Sequence, residues 1–285
     1  CIRDSPGMVY AAVKRTPVAG GTLRRVDDNA ARAMKGVIDV VKVGPSSAAG
    51  LVGTYSAGDT IAVVADSYWT AEKALASLKL EWNTEGKERV SSESIFEQFD
   101  RDITAGVDRA NDVAMGDATA AFDSAATVLT ADYRVPYLAH TCMEPPNATA
   151  EVFADRAEIW VGCQNPLGFR QHLAANLGLD VQQVTLHNYF MGGGFGRKSN
   201  ADYALQAAMI ARQVGRPVQM VYSRAEDIKQ DFYRPAVQSR FKAGLDADGK
   251  LVAWQNTYVD KHEPVEAPLI PYAVAAQDIG HVASP

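Results

Sequence analysis

The sequence predicts an α+β fold in two domains, and three observations carry that prediction. A continuous apolar run, Thr60 to Ala65, is followed by an amphipathic helical pattern and a returning strand, Leu78 to Trp82. Two hairpin patterns follow later, Ala148 to Phe153 with Ala157 to Val161, and Val237 to Leu245 with Leu251 to Val259. Between them, one helix and one strand are bracketed by two side-chain-poor loops, 162–166 and 191–198. Period-2 stretches and period-3.6 stretches thus alternate along the chain, as a mixed fold requires.

In chain order, Met8 to Val13 and Gly36 to Val43 read as strands. The run Thr60 to Ala65 is apolar throughout, which marks a strand buried on both faces. Ser67 can cap the helix after it, which carries Trp69, Ala71, Ala74, Leu75 and Leu78 on a 3.6-residue period. With Leu78 to Trp82 this makes a β–α–β unit that closes a first domain at residue 83. Residues 84–124 are polar, charged and Gly-dotted, and read as a connector with a short helix over Ser94 to Phe99. A second domain, 125–285, opens with the strand Thr127 to Val135. Pro145 and Pro146 interrupt any ladder near them. Asn165 is an N-cap with Pro166 at the first helical position, and Gly178 is the expected left-handed stop. Val184 to Phe190 is a strand. Ser199 with Asp202 fits a capping box for the next helix, which Gly215 and Pro217 end. Pro217 to Tyr222 is a further strand, and Asp248-Gly249 turns the last hairpin.

The chain has 285 residues and a net charge of -6. It lacks the basic stripe of a nucleic-acid binder, and no apolar run is long enough to span a bilayer. Its three cysteines, Cys1, Cys142 and Cys163, are too widely spaced for a zinc or iron–sulfur motif and read as buried or neutral thiols. The five histidines form no i, i+4 metal pair and read as ordinary. No export signal lies within the chain, and its ends read as those of a piece of something longer, which leaves periplasmic, membrane-associated and cytoplasmic locations all open.

Gly192 to Gly196 is the sharpest feature. Contiguous glycines expose peptide N–H groups where no Cβ blocks approach, and a helical pattern follows directly. Ligand approach and a tight structural turn are the two readings of this loop. It is neither a Walker A loop nor Gly-x-Gly-x-x-Gly, which speaks against a nucleotide-phosphate binder. Gln164 sits between a strand and a helix cap, where its amide either donates to a ligand oxygen or caps nearby backbone. Glu144 is either an acid–base group or a structural acceptor.

Gln164-Asn165, a helix, a strand, and then Met191-Gly192-Gly193-Gly194-Phe195-Gly196-Arg197-Lys198 together resemble the molybdenum hydroxylases, the xanthine dehydrogenase and aldehyde oxidase family. Pro6 to Arg15, Met143-Glu144-Pro145-Pro146-Asn147, Ser223 to Asp227 and Asp231 to Pro235 resemble the isoquinoline 1-oxidoreductase beta-subunit branch, which includes membrane-associated aldehyde dehydrogenases. The resemblance covers nearly the whole chain. It implies a small α/β hammerhead domain followed by the N-terminal part of the molybdopterin-binding α+β domain. It further implies a molybdenum–molybdopterin cofactor, in the cytosine dinucleotide form. It assigns Gln164 to a molybdenum-oxo contact and Gly193, Gly194, Phe195, Gly196 and Arg197 to cofactor binding. Glu144, Phe195 and Ser199 become substrate-side candidates, and no protein residue is a metal ligand. The reaction implied is hydroxylation of an aldehyde or N-heterocycle with oxygen from water. The implied partners are a [2Fe–2S] small subunit and a cytochrome c subunit.

Two departures from the family pattern matter. Ser199 stands where xanthine dehydrogenases carry a purine-binding glutamate, which speaks against purine substrates. The family's Gly-x-Gly-Glu motif, with its general base, does not occur in this sequence. Two functional classes follow: part of the cofactor subunit of a hydroxylase, inactive alone, or a non-catalytic binding and assembly module whose glycine loop takes another anion.

Overall fold

The computed structural model describes residues 5–18, 20–44, 46–49, 54–57, 59–87, 90–106, 108–260, 270 and 272–284. Cys1 and His262 lie outside the described residues. In chain order the elements begin with β1 (Val9–Arg15), β2 (Thr22–Asp27), α1 (Asn29–Arg32), β3 (Val37–Val43), β4 (Ser46–Ala49), β5 (Thr54–Ala57), β6 (Thr60–Ala65), α2 (Tyr68–Ser77) and β7 (Lys79–Asn83). Then come α3 (Ser92–Ala105), β8 (Ala110–Met115), α4 (Ala118–Ser124), β9 (Thr127–Val135), β10 (Asn147–Val152), β11 (Ala157–Val161), α5 (Pro166–Leu177) and β12 (Val184–Asn188). The last are α6 (Asp202–Val214), β13 (Val218–Val221), α7 (Arg224–Lys229), β14 (Val237–Leu245), β15 (Leu251–Asp260) and β16 (Ala276–His281). The mixed helix and strand content is that of an α+β protein.

The chain forms two compact units, each drawn from two separated stretches: 1–88 with 139–232, and 89–138 with 233–285. The sequence reading drew its domains in linear order, with boundaries at 83 and 124.

The first unit is built on a seven-stranded sheet in the order β12-β11-β10-β13-β1-β6-β3. β1 lies between β13, its parallel neighbour, and β6, its antiparallel one. The apolar run of β6 is buried at every position because the sheet is covered on both faces. Ala62 and Val64 join one core with α5 and α6, while Ile61, Val63 and Ala65 join a second with α2. The returning strand of the expected β–α–β unit behaves differently. β6 already has β1 and β3 as neighbours, so no edge is open to β7, which pairs with β2 in a separate ribbon.

The second unit is a five-stranded sheet in the order β8-β16-β15-β14-β9. α3 packs Phe99 and Ile103 against Ala236 and Val259, and α4 packs Phe122 against Ala253 and Ala276. The stretch expected to be a connector therefore carries two helices and a strand. Its helical signal is faint because Ser94, not Glu or Gln, completes the capping box with Ser91. Gly106 closes α3 in the left-handed conformation, and Asp117 caps α4.

Candidate functional site

The site lies in the first unit, where β11 and β12 run parallel as neighbours. Their carboxyl ends, and the loops that leave them, therefore sit side by side, the usual place for a ligand on such strands. The local grammar is as the sequence predicts. Asn165 accepts from the Gly168 N–H, Pro166 opens α5, and Gly178 ends it with φ of 67°. Tyr203 seals the base of the first loop, donating from its hydroxyl to the Gly162 carbonyl at 2.8 Å.

Gln164 joins the two loops. Its backbone N–H donates to the Lys198 carbonyl at 2.9 Å. Its side-chain Oε1 accepts the Gly196 N–H at 3.0 Å. That bond consumes the acceptor end of the amide and leaves Nε2, a two-proton donor, at an exposed residue. A Cβ at Gly194 would stand 2.5 Å from Gln164 Oε1, so a side chain there would displace the amide from its bond to Gly196. Gly193 and Gly196 have φ of 97° and 102°, and Phe195 between them is also left-handed at 52°. A bulky residue held in that region marks a loop whose conformation is imposed by its surroundings.

Glu144 holds the other end of the loop. Its N–H donates to the Gly192 carbonyl at 3.1 Å, and its Oε2 accepts the Gly192 N–H at 2.9 Å and Lys198 Nζ at 2.5 Å. Burial works against its charge, but the bonds from Lys198 and Gly192 outweigh this and hold its carboxyl below the usual glutamate value. Of the two readings the sequence left open, this geometry is that of an acceptor. Met143 beside it is 86% exposed, and Phe190 and Phe195 are exposed as well, so apolar side chains flank the polar loop.

Arg197 turns inward. Its guanidinium is fully buried, forms two bonds of 2.9 Å to Asp202, and stands 3.2 Å from Asp231. Burial opposes its charge, and the two carboxylates more than offset that. Arg15 adds a contact of 3.4 Å to Asp202. The carboxylate of Asp231 also receives the backbone N–H and Nδ1 of His140. The expected Ser199–Asp202 capping box does not form. Ser199 lies in a 3-10 turn, α6 is capped by Ala201 without a side-chain bond, and Asp202 is engaged by the two arginines instead.

Sequence reasoning missed His140, Lys198, Asp202 and Asp231 as parts of this assembly. Asp202 meets Arg197 five residues away and Arg15 187 residues away, and Asp231 meets His140 91 residues away; the place of Asp231 within the Asp231-Phe232-Tyr233-Arg234-Pro235 motif was the one hint. Arg224, from another such motif, donates to the Cys142 and Met143 carbonyls and so props the segment that carries Glu144.

Cys142 donates to the Gly194 carbonyl at 3.3 Å, and burial pushes the Cys163 thiol up to about 11. Both are free and buried. Among the described residues no group of three His, Cys, Asp or Glu side chains could hold a metal ion, and no helix is long and apolar enough to cross a membrane.

A neutral amide donor beside a glycine loop suits an oxygen-rich anionic group that brings its own metal ligands. Comparison with known proteins agrees with this class. The molybdopterin cofactor-binding domain family matches residues 100–277, more than half of the chain. The chain belongs to that domain family, found in the molybdenum hydroxylases. It is 30% identical over 262 residues to the beta subunit of isoquinoline 1-oxidoreductase of Brevundimonas diminuta, covering 88% of this chain and 32% of that protein. It is 31% identical over 253 residues to the membrane-bound aldehyde dehydrogenase [pyrroloquinoline-quinone] of Gluconacetobacter polyoxogenes, covering 87% of this chain and 31% of that protein. The chain thus spans about a third of the length of these relatives. The aldehyde oxidoreductase of Desulfovibrio gigas shares the fold, with a TM-score of 0.71 at 21% identity over 99% of this chain and 36% of that one. The printed name of the Gluconacetobacter protein carries pyrroloquinoline-quinone, whereas the family matched by this chain's own residues is the molybdopterin one.

Proposed function

We propose that this chain supplies the Gln164 and glycine-loop half of a molybdenum-oxo pocket, in a subunit that hydroxylates an aldehyde or an N-heteroaromatic compound. The observation that carries the reading is the Gly196 N–H bond to Gln164 Oε1, which occupies the acceptor end of the amide and leaves its donor end for a ligand. When bound, the molybdenum–pterin group supplies a two-electron acceptor and the oxygen placed on the electron-poor carbon.

This chain's residues bind and orient. Gln164 Nε2 would donate a hydrogen bond to an oxygen of the bound group without changing the charge of the pocket. The backbone at Gly193, Gly194 and Gly196 allows close approach, and Phe195 and Met143 offer apolar surface to an aromatic or aliphatic substrate. Glu144 and Lys198 hold the loop's two ends together. The proton-accepting glutamate of the reaction belongs to another part of the subunit in this reading. The cytosine dinucleotide form of the cofactor, a [2Fe–2S] subunit and a cytochrome c subunit are the electron-transfer setting the resemblance suggests.

The test uses the full-length gene product in which this sequence occurs. Elemental analysis should find molybdenum, acid treatment should release cytidine monophosphate, and dye-linked turnover of aldehydes and isoquinoline should be present. Gln164→Ala should cut turnover while leaving the melting temperature unchanged. A quinone cofactor without molybdenum would overturn the reading, as would unaltered kinetics in the variant.

A further inference from the structure

β8 and β9 are the two outer strands of the second unit's sheet. Among the described residues β9 pairs with β14 alone, through nine consecutive residue pairs without a register shift. All nine of its residues are exposed. It carries no proline, no lysine and no bulge, the usual devices that protect a free edge.

The two faces of β9 differ in chemistry. On one, Asp132 and Arg134 are already paired, with Arg240 and Asp100. On the other stand Leu129, Ala131, Tyr133 and Val135, where Leu129 is 56% and Tyr133 62% exposed. Leu129 and Tyr133 line a cavity of about 260 Å³ with Phe241, Ala243 and Trp254. The rings of Tyr133 and Phe241 meet edge to face at 5.7 Å. A long edge with unpaired peptide groups, bordering an apolar hollow and free of unpaired charge on that side, is built to receive an extended segment.

We propose that β9 is an interior strand in the working protein, paired along its outer edge by a β-strand from the same polypeptide. That strand carries apolar residues at alternate positions, which fill the hollow between Leu129, Tyr133 and Trp254. Its source is the length that the curated relatives possess beyond the third this chain spans. The inference is independent of the chemistry proposed for Gln164.

Hydrogen exchange followed by mass spectrometry tests it on residues 1–285 alone and on the full-length gene product. In the full-length product the β9 amides should exchange on the order of 100-fold more slowly than in residues 1–285, because their opening becomes coupled to a larger folded unit. The double substitution Leu129→Lys with Tyr133→Lys removes the Tyr133–Phe241 contact in both proteins and should lower the melting temperature of the full-length product by more than that of residues 1–285. Equal β9 exchange in the two proteins overturns the proposal, as does an equal loss in both from the double substitution. Protection of β9 in residues 1–285 through a dimer, seen by light scattering, also overturns it and makes a second copy the occupant.

Discussion

Lys198 Nζ, 1% exposed, meets Glu144 Oε2 at 2.5 Å, although the two residues lie on loops far apart in sequence. Lys198 is almost cut off from water, and this carboxylate is its ion-pair partner. The same oxygen takes the Gly192 N–H, so one carboxylate fixes both ends of the glycine loop.

Removing that carboxylate should therefore loosen the loop and destabilise the first unit. Glu144→Gln should cost about 2 kcal/mol, within the range for hydrogen bonds to charged groups. Urea unfolding of wild type, Glu144→Gln, Lys198→Met and the double variant should yield a coupling of at least about 1 kcal/mol. Additive effects would mean the pair is not a unit.

The same pair sets a pH dependence. The Glu144 carboxyl is lowered from 4.5 in the folded chain, so its contribution is fully present above that value and is lost as pH falls through the lower folded one. Wild type should lose its stability advantage over Glu144→Gln below about pH 4.5. Thermal melts between pH 3 and 7, taken as the difference between the two proteins, isolate this from Glu226 and Asp227, whose carboxyls burial raises.

Gly194→Ala should act on Gln164 before it acts on the fold. The clash at 2.5 Å is with the end of a flexible side chain, so the amide should swing away and release the Gly196 N–H. Amide exchange at Gly196 should speed at least tenfold, a loss of about 1.4 kcal/mol in local protection, with the global melting temperature little changed.

Arg197→Met should be far more harmful. It leaves Asp202 facing Arg15 alone at 3.4 Å and strips Asp231 of its guanidinium partner. Losing one member of a buried pair costs about 3–5 kcal/mol. Denaturant unfolding should show this, with part of it recovered when Asp202→Leu is added.

Cys142 and Cys163 should resist iodoacetamide in the native chain at pH 8, because burial raises both thiols. Peptide mapping should find both modified promptly in denaturant.

Local signals made much of the fold legible. Asn165, Pro166 and Gly178 state where α5 begins and ends, and the unbroken apolar run of β6 states that both faces are covered. What stayed hidden is non-local. Arg197 stands only five residues before Asp202, but nothing local says that it turns inward, or that Arg15, 187 residues away, joins it in taking the carboxylate from the capping role its spacing suggests. β7 reads as the partner of β6 until the pairing of β1 and β3 on either side of β6 is known. At the site, the glycines and Gln164 were visible as a pattern, but their reasons were not. Glycine at 194 answers a clash with Gln164, whereas the left-handed backbone lies at 193, 195 and 196.

The pairing of Val9 with Val218 carries a consequence for synthesis on the ribosome. β1 is central in its sheet, yet its parallel partner β13 lies roughly 200 residues downstream, a separation that makes closure of the sheet intrinsically slow. At 5–20 residues per second the partner emerges about 10–40 s after β1 does. For that interval β1 presents a bare edge along residues 9–12 as the chain grows. A chaperone that shields extended apolar segments would be needed most between those two moments.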